Sequence, residues 1–379
     1  MSFGRHICIL SLVFLFALAS CAEKDSPVEN SCPIEFSVAD FSAEVRGSEL
    51  TTDNMSSFGV FAALEDNSQH NFEGIEVSEL ELFMDDVPVT NVDGSWTANP
   101  PHYWPILNDK SLSFFAYAPH SEGTGIVATA GWEQGNGTPE KTVKITYTLD
   151  PNPSAHLDLC VAKAVLDRVP DADGNGEADP VTFEFEHTLS WVSFAANYVG
   201  NLPEGCVLKI DELSLRNIAA SGNLNMNSSQ TDGSFFSWDE ITDDDKTASV
   251  TLSVIGETLD GNVPLPKINQ KNDNHVNFAT AKGALFVMPQ TVNYPDVRVP
   301  ALMDLTFSYI RSQDSAVIAQ FYTQIQLPKS EWVVAKRTKY VFTVDVRTAS
   351  LIEISAVSGQ PWIEDWQDAG NSHDDVTIK

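Results

Sequence analysis

The sequence predicts an all-β protein built of antiparallel β-sandwiches. Three observations predict it. Apolar and polar residues alternate with period two in many separate runs, helical 3.6-residue periodicity is scarce, and the runs are divided by Gly, Pro, Asn and Asp. Successive strand side chains point to opposite faces, so each run describes a strand with one buried and one wet face. Many such runs separated by turn residues build stacked antiparallel sheets.

The chain opens on a different kind of segment. Arg5 and His6 precede an apolar run over residues 7–19, and small residues lead to Leu18-Ala19-Ser20-Cys21. A short basic region, an apolar stretch too short to span a membrane comfortably and small residues before the cut make a secretory signal over 1–20. Leu-Ala-Ser-Cys resembles a bacterial lipobox, which implies diacylation of the Cys21 thiol and cleavage before it. Each buried methylene contributes about 0.8 kcal/mol, so two or three acyl chains hold the protein on a membrane. Ala22-Glu23-Lys24-Asp25 resembles the acidic tether that sends some Bacteroidales lipoproteins to the cell surface. No other run of about 18 apolar residues occurs, so acyl chains are the expected membrane attachment.

Composition narrows the functions. With 22 Lys+Arg against 53 Asp+Glu, the net charge of −31 repels phosphate backbones and excludes nucleic acid as an expected partner. After processing, Cys32, Cys160 and Cys206 remain. The number is odd and the spacings match no zinc pattern; Cys160, inside the apolar run Leu159-Cys160-Val161-Ala162, reads as a buried structural thiol. No Ser-Gly elbow, HExxH or Gly-rich phosphate loop appears, so the chain is expected not to be an enzyme.

The strands follow in order. Ile34, Phe36 and Val38 alternate near the N-terminus, and Val143, Ile145, Tyr147 and Leu149 alternate with Lys144, Thr146 and Thr148. Residues 77–84 are ambiguous between strand and helical turn. In 181–191, Val181, Phe183, Phe185, His187, Leu189 and Trp191 form an apolar face interrupted only by His187, while Thr182, Glu184, Glu186, Thr188 and Ser190 form a polar one. His187 therefore reads as a core histidine bonded to backbone or hydroxyl, with no nucleophile beside it in sequence. Further strands are expected at 250–254, 303–309, 317–327 and 342–346, and the Asn-, Lys- and Pro-rich stretch 260–276 as a long loop.

The loop before Val181 carries Asp171, Asp173 and Asn175 at alternate positions and Gly176 at the sixth, the first half of an EF-hand-like calcium loop, with Asp179 at the ninth. Thr182 stands where a bidentate Glu belongs, and Asp, Asn and Gly equally make ordinary turns. A structural calcium site and a solvated connector both fit; no other cofactor is expected.

Phe183-x-Phe185-x-His187-x-Leu189-Ser190-x-Val192-x-Phe194 resembles the strand that opens the second domain of the Bacteroidales fimbrillin-like proteins, the type V pilins. Leu157-Asp158-Leu159-Cys160-Val161-Ala162 resembles the strand closing their first domain, and Phe58-Gly59-Val60-Phe61-Ala62 an early strand. Trp96, Tyr103-Trp104-Pro105 and Leu112-Ser113-Phe114-Phe115-Ala116-Tyr117-Ala118-Pro119 resemble the family's aromatic hairpin. Tyr340-x-Phe342-x-Val344-x-Val346 and Ile363-Glu364-Asp365-Trp366 resemble its last strands. The order of the motifs covers most of the mature chain. It departs at Ala335-Lys336-Arg337-Thr338, where the family often carries a Gly before the strand.

The resemblance implies two tandem transthyretin-like antiparallel β-sandwich domains, 47–170 and 171–379, after the lipoprotein signal 1–20 and an N-terminal propeptide with a removable strand, 21–46. It implies a fimbrial subunit at the outer membrane, surface-exposed, whose partners are other subunits joined by β-strand addition, the membrane through its acyl chains, and a host or bacterial surface receptor. A trypsin-like protease would cut between Arg46 and Gly47; Lys24 and Arg46 are the only basic residues between Cys21 and Gly47. Loss of the strand bearing Ile34, Phe36 and Val38 would open a groove for a foreign strand. Residues 351–362, with Ile352, Ile354 and Ala356 alternating, suit the donor better than the tail after Gln367. The alternative is a glycan-binding outer-membrane lipoprotein using Trp96, Tyr103, Trp104, Trp362 and Trp366 as stacking platforms, against which stands the burial of such rings in sandwich cores.

Overall fold

The computed structural model describes residues 32–39, 50–66, 82–105, 110–120, 125–134, 139–171, 178–199, 202–227, 235–253, 276–277, 285–292, 298–346 and 348–361. Among these the regular structure is β, apart from two short 3₁₀ turns at Pro153–Ala155 and Asp243–Asp245. The ambiguous stretch at 77–84 resolves as strand from Leu82 onward, because its apolar residues pair with a neighbouring strand. The loop expected at 260–276 lies outside the described residues, save Val276.

The first eleven strands are β1 (Phe36–Val38), β2 (Ser57–Asp66), β3 (Leu82–Val92), β4 (Ser95–Ala98), β5 (Lys110–Ala118), β6 (Ile126–Gln134), β7 (Pro139–Thr148), β8 (Cys160–Ala162), β9 (Val165–Arg168), β10 (Val181–Phe183) and β11 (Phe185–His187). Nine of them form one sheet in the order β10-β1-β4-β3-β2-β5-β8-β11, with β9 beside β5. β10 and β11 are separated only by Glu184, so the order returns on itself and the sheet closes into a ring. Closure removes the free edges that an open sheet would leave unpaired. Inside the ring lies one apolar cluster that includes Ile34, Phe36, Phe58, Trp104, Phe114 and Phe183. The β3–β4 hairpin turns through Asp93 and Gly94, at φ +51° and +88°, the left-handed pair that a two-residue hairpin of matching twist requires.

The remaining strands are β12 (Ser190–Val199), β13 (Cys206–Ile218), β14 (Ser221–Asn227), β15 (Phe236–Trp238), β16 (Ala248–Ser253), β17 (Val276–Asn277), β18 (Leu285–Val287), β19 (Gln290–Val292), β20 (Leu302–Arg311), β21 (Val317–Gln326), β22 (Ser330–Trp332), β23 (Lys336–Asp345) and β24 (Ser350–Pro361). They form sheets β17-β12-β23-β24, with β18 also on β12, and β16-β13-β20-β21; β14 and β15 extend the β6–β7 hairpin, and β19 pairs with β22. A second core joins them, including Leu213, Phe307, Tyr340 and Phe342, and takes in Phe61, Phe115 and Tyr117 from the outer face of the ring. Pairing thus runs across residue 171 in both directions: β10 and β11 complete the ring, and β7 pairs with β14.

The alternation at 181–191 holds as far as Glu186: Val181, Phe183 and Phe185 are buried and Thr182, Glu184 and Glu186 exposed. Beyond it the expected wet face is dry. Thr188 and Ser190 are fully buried, and their hydroxyls donate to the carbonyls of Leu159 at 2.7 Å and Val333 at 2.6 Å. At the departure from the family pattern, Ala335 sits at φ +50°, the left-handed region that glycine enters without strain.

Candidate functional site

β1 is a three-residue link in the ring and has neighbours on both sides. On one side it runs parallel to β10, with Phe36 opposite Val181, Ser37 opposite Thr182 and Val38 opposite Phe183. The Val181 N–H donates to the Glu35 carbonyl at 2.8 Å and the Ala39 N–H to the Phe183 carbonyl at 2.9 Å. The hydroxyls of Ser37 and Thr182 lie 2.7 Å apart. On the other side Phe36 meets Trp96 of β4, the Ile34 N–H donates to the His102 carbonyl at 2.9 Å and the Trp104 N–H to the Cys32 carbonyl at 2.9 Å.

The side chains follow the pleat. Ile34 and Phe36 are each only 5% exposed and point into the ring, and Val38 is half-buried. The Phe36 ring stacks on Phe183 at 6.0 Å and meets Phe58 and Phe114 edge-on, each at 6.2 Å. Ile34, Phe36 and Val38 are thus brought together with a groove that sequence reasoning did not assign, lined by Phe58, Trp96, Phe114, Val181 and Phe183. Its sequence signals were the aromatic hairpin, the early strand at Phe58 and the apolar face of Val181 and Phe183, none of which shows that they meet. Without residues 32–39 the pairing gap would lie between β4 and β10, and Phe36's three aromatic neighbours would lose a partner.

The aromatics considered as glycan platforms are largely committed to packing. Trp104 is 4% exposed and lies edge-on to Phe114 at 5.8 Å, and Trp96 tilts against Phe58 at 5.0 Å; Tyr103 is exposed, and Trp362 and Trp366 lie outside the described residues. Cys21, Arg46, Gly47, Asp173 and Asn175 also lie outside them. Of the calcium-loop residues, Asp171 is exposed, and Asp179 is half-buried with Arg168 at 4.0 Å. β24, which contains Ile352, Ile354 and Ala356, pairs antiparallel with β23 and stands at the end of its sheet.

The His187 side chain is 12% exposed, on the apolar face of its strand, and meets the Asp158 carboxylate and the Cys160 thiol. Nδ1 lies 2.9 Å from Asp158 Oδ2 and 3.4 Å from Cys160 Sγ. β8 and β11 pair with Cys160 opposite His187, and Asp158, two residues earlier, falls on the same face. Oδ2 also accepts the Leu50 N–H at 2.9 Å. Among the described residues these three are the group of His, Cys and acidic side chains close enough to share a metal ion. Burial, and then the nearby Asp158 carboxylate, push the Cys160 thiol well above its ordinary value, so Cys160 is not a ready nucleophile.

Residues 46–366 match the family model described as fimbrillin-like. The chain belongs to the fimbrillin-like family. Among solved structures, this fimbrillin-like chain is similar to a fimbrial protein from Bacteroides vulgatus, at 18% identity and a TM-score of 0.58, over 88% of this chain and 100% of that one. That likeness shows the fold. Two candidate cell adhesion proteins align with TM-scores of 0.42: one from Bacteroides uniformis at 14% identity, over 87% of this chain and 99% of its own, and one from Bacteroides ovatus at 12%, over 89% and 100%. No curated protein matches the chain.

Proposed function

We propose that this fimbrillin-like chain is a structural or adhesive subunit of a cell-surface fimbria, assembled by strand exchange at the position of β1. The observation that carries the reading is β1 itself: a short strand inside a closed ring, held on both sides without covalent bonds beyond its own backbone. The chain is exported as a lipoprotein anchored through Cys21 to the outer membrane. A trypsin-like protease cuts between Arg46 and Gly47, and residues 21–46 leave with β1. The family match begins at residue 46, after β1 and next to the proposed Gly47 start.

Unpaired backbone on β4 and β10, and apolar surface around Phe58, Phe114 and Phe183, then favour capture of a strand from another subunit. β24 is the donor candidate, since it stands at a sheet end and, among the described strands, pairs with β23 alone. A ring completed by β10 and β11, which follow residue 171, fits this scheme: the strand beside the gap belongs to the segment leading into the second core. The role is mechanical rather than catalytic. A surface receptor is a further partner, and the 171–179 loop a structural calcium site if its acidic groups converge.

Intact mass spectrometry of the cell-surface protein tests lipidation and cleavage together. Fimbrial material should begin at Gly47, and uncleaved material should carry acyl mass on Cys21. Fimbriae whose subunits retain residues 21–46 would overturn the scheme.

A further inference from the structure

We propose that Asp158, Cys160 and His187 form a binding site for a divalent metal ion of the zinc class. The ligand atoms are one sulfur, one imidazole nitrogen and one carboxylate oxygen, all within 4.8 Å of one another. His187 Nδ1 is 2.9 Å from Asp158 Oδ2 and 3.4 Å from Cys160 Sγ. Bond lengths of about 2.0–2.3 Å in a tetrahedral zinc site put neighbouring ligand atoms roughly 3.3–3.7 Å apart, so small shifts admit an ion among them. Thiolate with imidazole selects zinc, cobalt or a similar ion over calcium or magnesium.

A second observation points to a cation. The Asp158 side chain is 1% exposed, and its Oδ1 is buried with no hydrogen-bond partner. A carboxylate taken out of water with one oxygen unused is costly unless a cation meets it. The His187 side chain, 12% exposed, is the one of the three through which an ion can enter. On binding, the metal takes the Cys160 thiolate, whose proton leaves to solvent, and Nδ1 of the neutral His187, whose single ring proton then sits on Nε2; Asp158 supplies one or both oxygens. With Asp158 and Cys160 each contributing one negative charge, a divalent ion leaves the cluster neutral.

The placement gives the ion a structural task. Cys160 and His187 are register partners in β8 and β11, the strands beside the ring's closing point, so a shared ion staples that closure. Through the Leu50 N–H on Asp158 Oδ2 it also fixes the chain just after residues 40–49. The inference does not depend on the fimbrial reading.

The test uses the full chain, purified under a non-chelating phosphine reductant, with cobalt(II) as the probe. One equivalent should bind and give a sulfur-to-cobalt charge-transfer band in the near ultraviolet, bleached by zinc, and zinc should raise the melting temperature. The decisive variant replaces Cys8, Cys21, Cys32 and Cys206 with Ser and leaves Cys160 as the only thiol. The band should persist there and vanish when Cys160→Ser is added, and the near-isosteric Asp158→Asn should weaken cobalt binding at least about tenfold. A wild-type chain with no charge-transfer band, or a Cys160-only chain without one, would overturn the proposal.

Discussion

Replacing Phe36 by Ala removes an aromatic ring from the apolar cluster that the closed sheet encloses. The ring is 5% exposed and has aromatic neighbours at 6.0 Å and 6.2 Å on Phe183, Phe58 and Phe114. Truncating a buried Phe costs about 3–5 kcal/mol, combining lost transfer free energy with the cavity left behind. The upper part of that range is expected, because each lost ring pair adds roughly 0.5–1.5 kcal/mol beyond burial. Urea unfolding followed by tryptophan fluorescence reads the change, since Trp96 lies against Phe58 and Trp104 against Phe114. Ser37→Ala, which removes only a hydroxyl contact with Thr182, should cost about 0.5–1.5 kcal/mol. In a chain cleaved after Arg46 and freed of its propeptide, Phe36→Ala should have no effect. A loss below about 1 kcal/mol in the uncleaved chain would refute β1 as a stabilising stave, because no buried Phe with these neighbours is truncated so cheaply.

Three further outcomes follow from local geometry. Ala335→Gly should stabilise the fold by about 1 kcal/mol in the same assay, since Ala335 at φ +50° carries a left-handed penalty that glycine lacks. Gly59→Ala should destabilise by about 1–3 kcal/mol: a Cβ there would meet Tyr117 Cε1 at 2.5 Å and Asp86 Oδ1 at 2.8 Å, disturbing the Tyr117 Oη donation to Asp86. Burial works to raise the Asp304 carboxyl, but donors on Gln324, Tyr322 and Arg216 outweigh it and hold it below its ordinary range. Its contribution is therefore present above about pH 4 and lost as pH falls through the depressed folded value, so Asp304→Asn should flatten the acid limb of a stability–pH curve.

The strands were legible where one local pattern met one environment. Val143, Ile145, Tyr147 and Leu149 are buried in turn between exposed Lys144 and Thr148, as a two-faced strand requires. At 181–191 the same reading gave the inward face but neither the break at Glu184 nor the dry face at Thr188 and Ser190. Those depend on which strands arrive from elsewhere: β1 beside β10, β8 beside β11, and the loop at Val333 over Ser190. Periodicity reports the environment of a strand and is silent about its neighbours. For the same reason Ile34, Phe36 and Val38 could be read as a strand, while the ring of Phe58, Phe114 and Phe183 that receives them could not. The Asp158–Cys160–His187 cluster was hidden because Cys160 and His187 lie on two strands and stand 27 residues apart, a spacing that no local zinc pattern contains. Ala335 was visible as a departure from the family pattern, and its positive φ gives the physical reason a glycine suits that position.

The central claim is that removing β1 converts a closed subunit into one that accepts a strand. Ile34 and Phe36 are buried and Val38 half-buried; fully burying such a side chain contributes roughly 1.5–3 kcal/mol, with backbone pairing in addition, so an incoming strand has a substantial driving force once they leave. The measurement is SDS-resistant laddering and electron microscopy of the wild-type chain and Arg46→Ala, both treated with a trypsin-like protease. The account predicts ladders and fibres from the wild type, and a folded monomer that neither polymerises nor joins fibres from Arg46→Ala. Assembly of Arg46→Ala equal to the wild type, or a wild type that loses residues 21–46 and stays monomeric, would contradict it.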